Sequence, residues 1–258
     1  MTRVDAAADA ATLDPARLAD IDALLLDAGN TVVFLDHDAV AALVADRLRM
    51  ADGASITGTD VRVAEAQAKR HYEALLAAGG AHEDGWTLFF VALFGALGVG
   101  EAEARAVIPG LRRAHDALNL WRRVPQGLPD ALARARAAGL AVGIVSNSEG
   151  KLDALFAHVG LGDAFACVVD SALEGVRKPD PEIFRRALAR VGVPASRAIY
   201  VGDLPSVDVD GARAAGLSAV LVDPFGHYGA YTDAPRVASV VEVVDALLAA
   251  RVSRRVAG

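Results

Sequence analysis

A chain of 258 residues with 53% apolar side chains is long enough to bury one full core or two smaller ones. Its net charge of −7 gives no electrostatic footprint for nucleic acid or for an anionic membrane. The longest uncharged stretch, 85–100, is too short and too rich in glycine to span a bilayer.

Aromatics are only 5%, and alanine carries much of the apolar content, which favours Ala-rich helices. The lone cysteine, Cys167, cannot close an internal disulfide. Its apolar run, 165–169, reads as core, in keeping with a reducing, cytoplasmic setting. Residues 1–14 carry Asp5, Asp9 and Asp14 without an apolar run, so they are expected to form an arm and not a signal peptide.

Leu24, Leu25 and Leu26 suit a strand buried on both faces, and the run ends abruptly at Asp27, followed by Ala28-Gly29-Asn30-Thr31. In open parallel sheets ligands bind outside the carboxyl ends of the strands, so Asp27 is a candidate for chemistry as well as for a plain turn. A short extended piece, 32–35, leads to Asp36, His37 and Asp38, potential caps for a helix over 39–50. Three further helical patterns follow. One covers 60–78 with Thr59 as cap, one places Trp86, Phe89, Phe90, Leu93 and Leu97 on one face, and one runs from Glu101 to Leu118 with a kink at Pro109. The block 36–124 is therefore expected to be all-helical.

From Val124 onward strands and helices alternate. Strands are expected at 141–145, ending in Ser146-Asn147-Ser148, at 166–170, at 198–201, ending in Gly202-Asp203, and at 218–222. Helices are expected at 130–138, at 152–159, after the Asp180 cap with Pro181 at its first position, at 208–215 and at 240–250, with 223–236 as loop. This alternation implies right-handed crossovers and an α/β, doubly wound parallel sheet, Rossmann-like in build. The strand before Asp27 needs that sheet as a partner. The expected architecture is thus a discontinuous core of 15–35 and 125–258, with 36–124 inserted as a helical cap domain.

Three strands end in a polar group at one edge: Asp27, Ser146 and Asp203. Between the second and third stands Lys178, held in a loop by Pro179, which disfavours helix at the residue before it. Each of these alone also suits a turn or a solvated surface. Together, Asp27, Asp203 and Asp208 would crowd carboxylates at one mouth, where like charges raise one another's pKa unless a cation intervenes. Lys178 supplies one charge, and a hard divalent ion such as magnesium, held by one or two carboxylates and phosphate oxygens, fits the remainder.

In order and content these motifs resemble the haloacid dehalogenase superfamily, mostly phosphatases. The first motif matches Asp27–Thr31, the second Ser146, the third Lys178 and the fourth the run from Gly202 to Asp208. The helical insertion resembles the cap of the subgroup whose cap lies between the first two motifs. The resemblance implies Asp27 as nucleophile, Ser146 and the adjacent Asn147 on the substrate's phosphoryl group, and Lys178 neutralising both. It further implies Asp27, Asp203 and the backbone carbonyl of Gly29 as magnesium ligands, with Asp208 behind the metal or orienting Lys178. The partner implied is a small phosphorylated metabolite, and monomer and homodimer both stay open.

One position departs from the pattern. The family's phosphatases carry a second aspartate, an acid and base for the leaving group, where this chain has Gly29. Losing such a group forfeits roughly 10²–10⁴ in rate. A surrogate from Asp36, His37 or Asp38, a substrate with a good leaving group, or a weakly active phosphate-binding protein would each account for it. Dehalogenation of a 2-haloacid is the rival chemistry, but family dehalogenases typically have an aromatic at this position and lack the acids of the fourth motif, whereas Asp203 is present. In the insertion, His71, Trp86, Lys69 and Arg70 are candidates for a cleft, or core for Trp86 and a solvated face for Lys69 and Arg70. Trp121, Arg122 and Arg123 read as hinge or packing residues.

Overall fold

A computed structural model describes residues 13–78 and 85–257; the first twelve residues of the expected arm lie outside it. The chain forms two compact units, one running through Val32 and resuming at Gln126, the other Val33–Pro125. The first unit opens with α1 (Pro15–Leu18), whose first turn is capped by the Asp14 carboxylate accepting from the Ala16 N–H at 2.9 Å. It continues into β1 (Ala23–Leu26), all four residues of which are buried.

The second unit contains β2 (Phe34–Leu35), α2 (His37–Val44), α3 (Gly58–Ala77), α4 (Gly85–Ala96), α5 (Glu101–Ala117) and β3 (Trp121–Arg123). Its apolar core draws on Val40, Val44, Val61, Phe90, Leu93, Phe94 and Leu111. The unit is not all-helical, because β2 and β3 pair as a small antiparallel ribbon. The extended piece expected over 32–35 supplies β2, whereas β3, three residues long, carries no readable period. Asp36 caps α2 as expected, accepting from the Ala39 N–H at 3.2 Å. The helix stops at Val44, short of residue 50. A turn follows in which Gly53 takes a left-handed φ of 85° and Arg49 bridges Ser55. The cap of α3 is Thr57 and not Thr59. The Thr57 hydroxyl accepts from the Asp60 N–H at 3.3 Å while the Asp60 carboxylate accepts from the Thr57 N–H at 2.9 Å, a reciprocal capping box.

The first unit resumes with α6 (Leu128–Ala137), β4 (Ala141–Ser146), α7 (Leu152–His158), β5 (Cys167–Asp170), α8 (Ser171–Glu174) and α9 (Pro181–Val191). It closes with β6 (Ala198–Gly202), α10 (Asp210–Ala214), β7 (Ser218–Val222), β8 (Arg236–Val237) and α11 (Val240–Ala257). The six strands form one parallel sheet in the order β5-β4-β1-β6-β7-β8. Helices flank it, giving the expected doubly wound α/β fold. Asp180 caps α9 through the Glu182 N–H at 2.9 Å, with Pro181 at the first helical position. The stretch 223–236 is not wholly loop, since Arg236 pairs with Leu221 and begins the edge strand β8.

β1 is central because its leucines are buried on both faces; burying each contributes about 1.5–3 kcal/mol. The chain leaves β1 for β4 and β5 on one side, then crosses to β6 and β7 on the other. That reversal of direction at β1 is where an open sheet forms its ligand crevice.

Candidate active site

Leu26 pairs with both Ile144 and Val201, so the residues that follow β1, β4 and β6 emerge at one sheet edge. The ladder extends one residue further, with the Asp27 N–H donating to the Val201 carbonyl at 2.9 Å. The chain then turns sharply through Asn30, whose φ of 55° is left-handed, a conformation asparagine tolerates better than most residues.

Asp27, Asp203 and Asp208 are all buried, and each offers a carboxylate oxygen within 4.8 Å of the others. Among the described residues no other group of three or more acidic, histidine or cysteine side chains is so arranged. Lys178 joins this group. Only 2% exposed, it sends Nζ to Asp27 Oδ1 at 2.5 Å, to Asp208 Oδ1 at 2.7 Å and to the Tyr200 hydroxyl at 2.9 Å. An ammonium has three donors, and here each has an acceptor.

Asp208 is fully engaged. Its Oδ2 accepts from the N–H groups of Asp203 and Leu204, both at 2.9 Å, while Oδ1 faces Lys178 and Tyr200. It therefore fixes both the lysine and the turn that carries Asp203. A single wide turn, Pro205–Val209, brings Asp208 back under the end of β6. The approach is so close that a Cβ at Gly202 would stand 2.4 Å from the Asp208 carboxyl carbon, which makes glycine obligatory there.

Charge balance sets the electrostatics. Three buried carboxylates face one buried ammonium. Asp27 is pushed up to about 7, chiefly by burial, which Lys178 partly offsets and Asp208 and Asp203 reinforce. Burial works against the charge of Lys178, but Asp208 and Asp27 more than compensate and hold its pKa above the ordinary lysine value. The Tyr200 phenol is pushed well up by burial and by Asp208, and stays protonated. The surplus of carboxylates could accommodate a divalent cation, with Asp27 and Asp203 as possible donors and both oxygens of Asp208 already hydrogen-bonded.

Ser146, 4% exposed, closes β4 in register with Asp170 of β5. Asn147 does not spend its amide on open space. It clamps the Lys178 backbone, donating to the Lys178 carbonyl at 3.0 Å and accepting the Lys178 N–H at 2.8 Å. The Asn147 side chain thus positions the loop that carries Lys178. Asp170 anchors the same loop by accepting from the Ser148 hydroxyl at 2.5 Å and the Gly150 N–H at 2.9 Å. Tyr200 and Asp170 were invisible as site residues because both lie within strand runs. The signal available was a tyrosine inside a fully buried strand, whose hydroxyl requires a partner.

Within the second unit the three proposed surrogate acids are all engaged: Asp36 with Arg122 at 2.8 Å, His37 with Glu65 at 2.6 Å and Asp38 with Arg123 at 3.3 Å. Trp121, Arg122 and Arg123 form β3, and Arg122 and Arg123 supply two of these partners. Lys69 is buried, against the expectation of a solvated face, whereas Arg70 and His71 are exposed. Trp86 packs at the edge of the core against Phe90 and His115.

The chain is 44% identical over 93 residues to a phosphoserine phosphatase of Thermus thermophilus, covering 36% of this chain and 37% of that protein. The chain thus spans well under two thirds of this relative's length. Among solved structures it resembles a haloacid dehalogenase-type (HAD) phosphatase from Thermococcus onnurineus, at a TM-score of 0.58 and 24% identity over 88% of this chain and 98% of the other. It also resembles a 2-haloacid dehalogenase from Pseudomonas syringae, at a TM-score of 0.52 and 22% identity over 89% and 99%. These two likenesses speak for the fold and not for the reaction. The haloacid dehalogenase-like hydrolase family model matches residues 21–216, which contain β1, the carboxylate cluster and Lys178, and the chain belongs to that family of hydrolases.

Proposed function

We propose that this protein is a magnesium-dependent phosphatase of a small phosphorylated metabolite, acting through an aspartyl-phosphate on Asp27. The observation that carries this reading is the buried cluster in which Lys178 bridges Asp27 and Asp208 while the carboxylates outnumber the cations. Asp27 and Asp203, with the backbone carbonyl of Gly29, are the ligands the metal would use. Bound there, magnesium would supply charge neutralisation at the phosphoryl oxygens.

A carboxylate oxygen of Asp27 attacks phosphorus, the bond to the leaving oxygen breaks, and that oxygen takes its proton from solvent. Water then attacks phosphorus, releasing inorganic phosphate and regenerating the carboxylate. Lys178 holds Asp27 in place, and Ser146 orients the phosphoryl group. Gly29 offers no acid, so substrates with a good leaving group, such as aryl or acyl phosphates, are favoured over alkyl esters. The phosphatase relative supports this chemistry, and Asp203 weighs against dehalogenation. The helical unit, inserted after the nucleophile's strand, is read as the cap that selects the substrate.

The test is release of inorganic phosphate from an aryl phosphate and a panel of metabolite phosphates, with magnesium or chelator, by this protein and its Asp27→Asn form. Both changes are expected to lower turnover by roughly 10³-fold or more. Turnover that survives either one, or halide release from a 2-haloacid, overturns the reading. Absence of turnover by the unaltered protein would leave a phosphate-binding protein.

A further inference from the structure

Tyr200 is fully buried in β6, between Leu25 of β1 and Ala219 of β7. Its ring packs edge-on against Phe184, with centroids 4.9 Å apart, a contact phenylalanine would make equally well. What phenylalanine lacks is the hydroxyl. Burying a hydroxyl is costly unless it is hydrogen-bonded. Here it accepts from Lys178 Nζ at 2.9 Å, and its proton faces the Val145 carbonyl at 2.9 Å and Asp208 Oδ1 at 3.2 Å.

Val145 directly precedes Ser146. One neutral oxygen therefore ties the lysine to the end of β4, while the lysine's other two donors reach Asp27 and Asp208. Without this third anchor, Nζ would be held from the two carboxylates alone and would be free to swing about them.

We infer that Tyr200 is a positioning residue, its hydroxyl fixing the Lys178 ammonium against Asp27 and in register with the strand that presents Ser146. The inference rests on the phosphatase reading for its catalytic consequence but not for its geometry. Tyr200 touches neither substrate nor the reacting atoms; it acts through Lys178. The effect belongs to kcat, because alignment of Asp27 matters when phosphorus is attacked and adds little to ground-state binding.

The experiment uses Tyr200→Phe, which keeps the ring and removes only the hydroxyl. The chain has three lysines, Lys69, Lys151 and Lys178, so a protein labelled with ¹⁵N at the lysine side chains gives an assignable set of ammonium signals. In the unaltered protein the Lys178 signal is expected to be protected from solvent exchange, and in Tyr200→Phe to exchange at least about tenfold faster. With an aryl phosphate, kcat is expected to fall about tenfold with KM within twofold. In a Lys178→Gln background, the same tyrosine change should alter single-turnover labelling of Asp27 by less than twofold, because the two residues act as one unit.

Unchanged exchange in Tyr200→Phe overturns the inference, as does an equal loss of kcat in the Lys178→Gln background, which would mark a merely structural role. If the unaltered protein hydrolyses nothing, the phosphatase reading fails, and the exchange measurement alone decides the anchoring.

Discussion

Two buried polar groups in this molecule differ in how many carboxylates they bring together. In the first unit three carboxylates face one ammonium, and Asp208 gathers hydrogen bonds from four donors while Asp27 and Asp203 carry the surplus. In the second unit His37 of α2 meets Glu65 of α3 one to one at 2.6 Å, with Lys69 buried one turn further along the helix. This pair joins two helices through a single contact, while Glu65 Oε1 makes no hydrogen bond among the described residues. The cluster gathers three carboxylates around one ammonium, a surplus that a bound cation would offset. A buried charge surplus, and not burial of charge as such, is what distinguishes the candidate active site.

Adding charge to the first group should have the largest effect. Gly29→Asp places a fourth carboxylate beside Asp27 and restores the acid that the family's phosphatases carry. Hydrolysis of alkyl phosphates is expected to rise by up to about 10²-fold and that of an activated aryl phosphate much less. Equal gains on both substrates would count against a missing general acid.

Removing charge from the same group should act in two directions. Asp203→Asn is expected to weaken magnesium binding by roughly 10–100-fold, read by calorimetric titration. The same change should raise the melting temperature of the metal-free protein, because it relieves repulsion among carboxylates that burial already strains toward protonation. A lower melting temperature without metal would break the contrast drawn between the two groups.

The smallest effect on the metal is expected from the His37–Glu65 pair. Glu65→Ala should cost about 2 kcal/mol of stability by chemical denaturation, since it leaves His37 buried without its partner. Magnesium affinity should be unchanged. A parallel loss of metal binding would show that the two groups are not independent.

Much of the architecture was legible because it rests on local pattern. The run Leu24–Leu26 ending at Asp27 announces a central strand, Asp180-Pro181 announces a helix start, and Gly202-Asp203 announces a strand end. Where the sequence reading slipped, the deciding contact was short or distant. The ribbon of Phe34–Leu35 with Trp121–Arg123 joins segments more than eighty residues apart through two or three residues each. The cap of α3 depends on which threonine Asp60 reaches, a choice between neighbours that pattern does not resolve.

By itself the sequence determined the fold class, the strand ends and the acids and lysine that stand at or near them, because hydrophobic period and turn chemistry are local properties. Only the tertiary structure decided what those side chains do to one another. It turned Asn147 toward the Lys178 backbone, gave Asp208 to the lysine and the Asp203 turn, and brought the Tyr200 hydroxyl to the ammonium. Hydrogen bonds such as these span up to 151 residues of chain, as between Asp27 and Lys178, and exist only once the sheet has set its strand order.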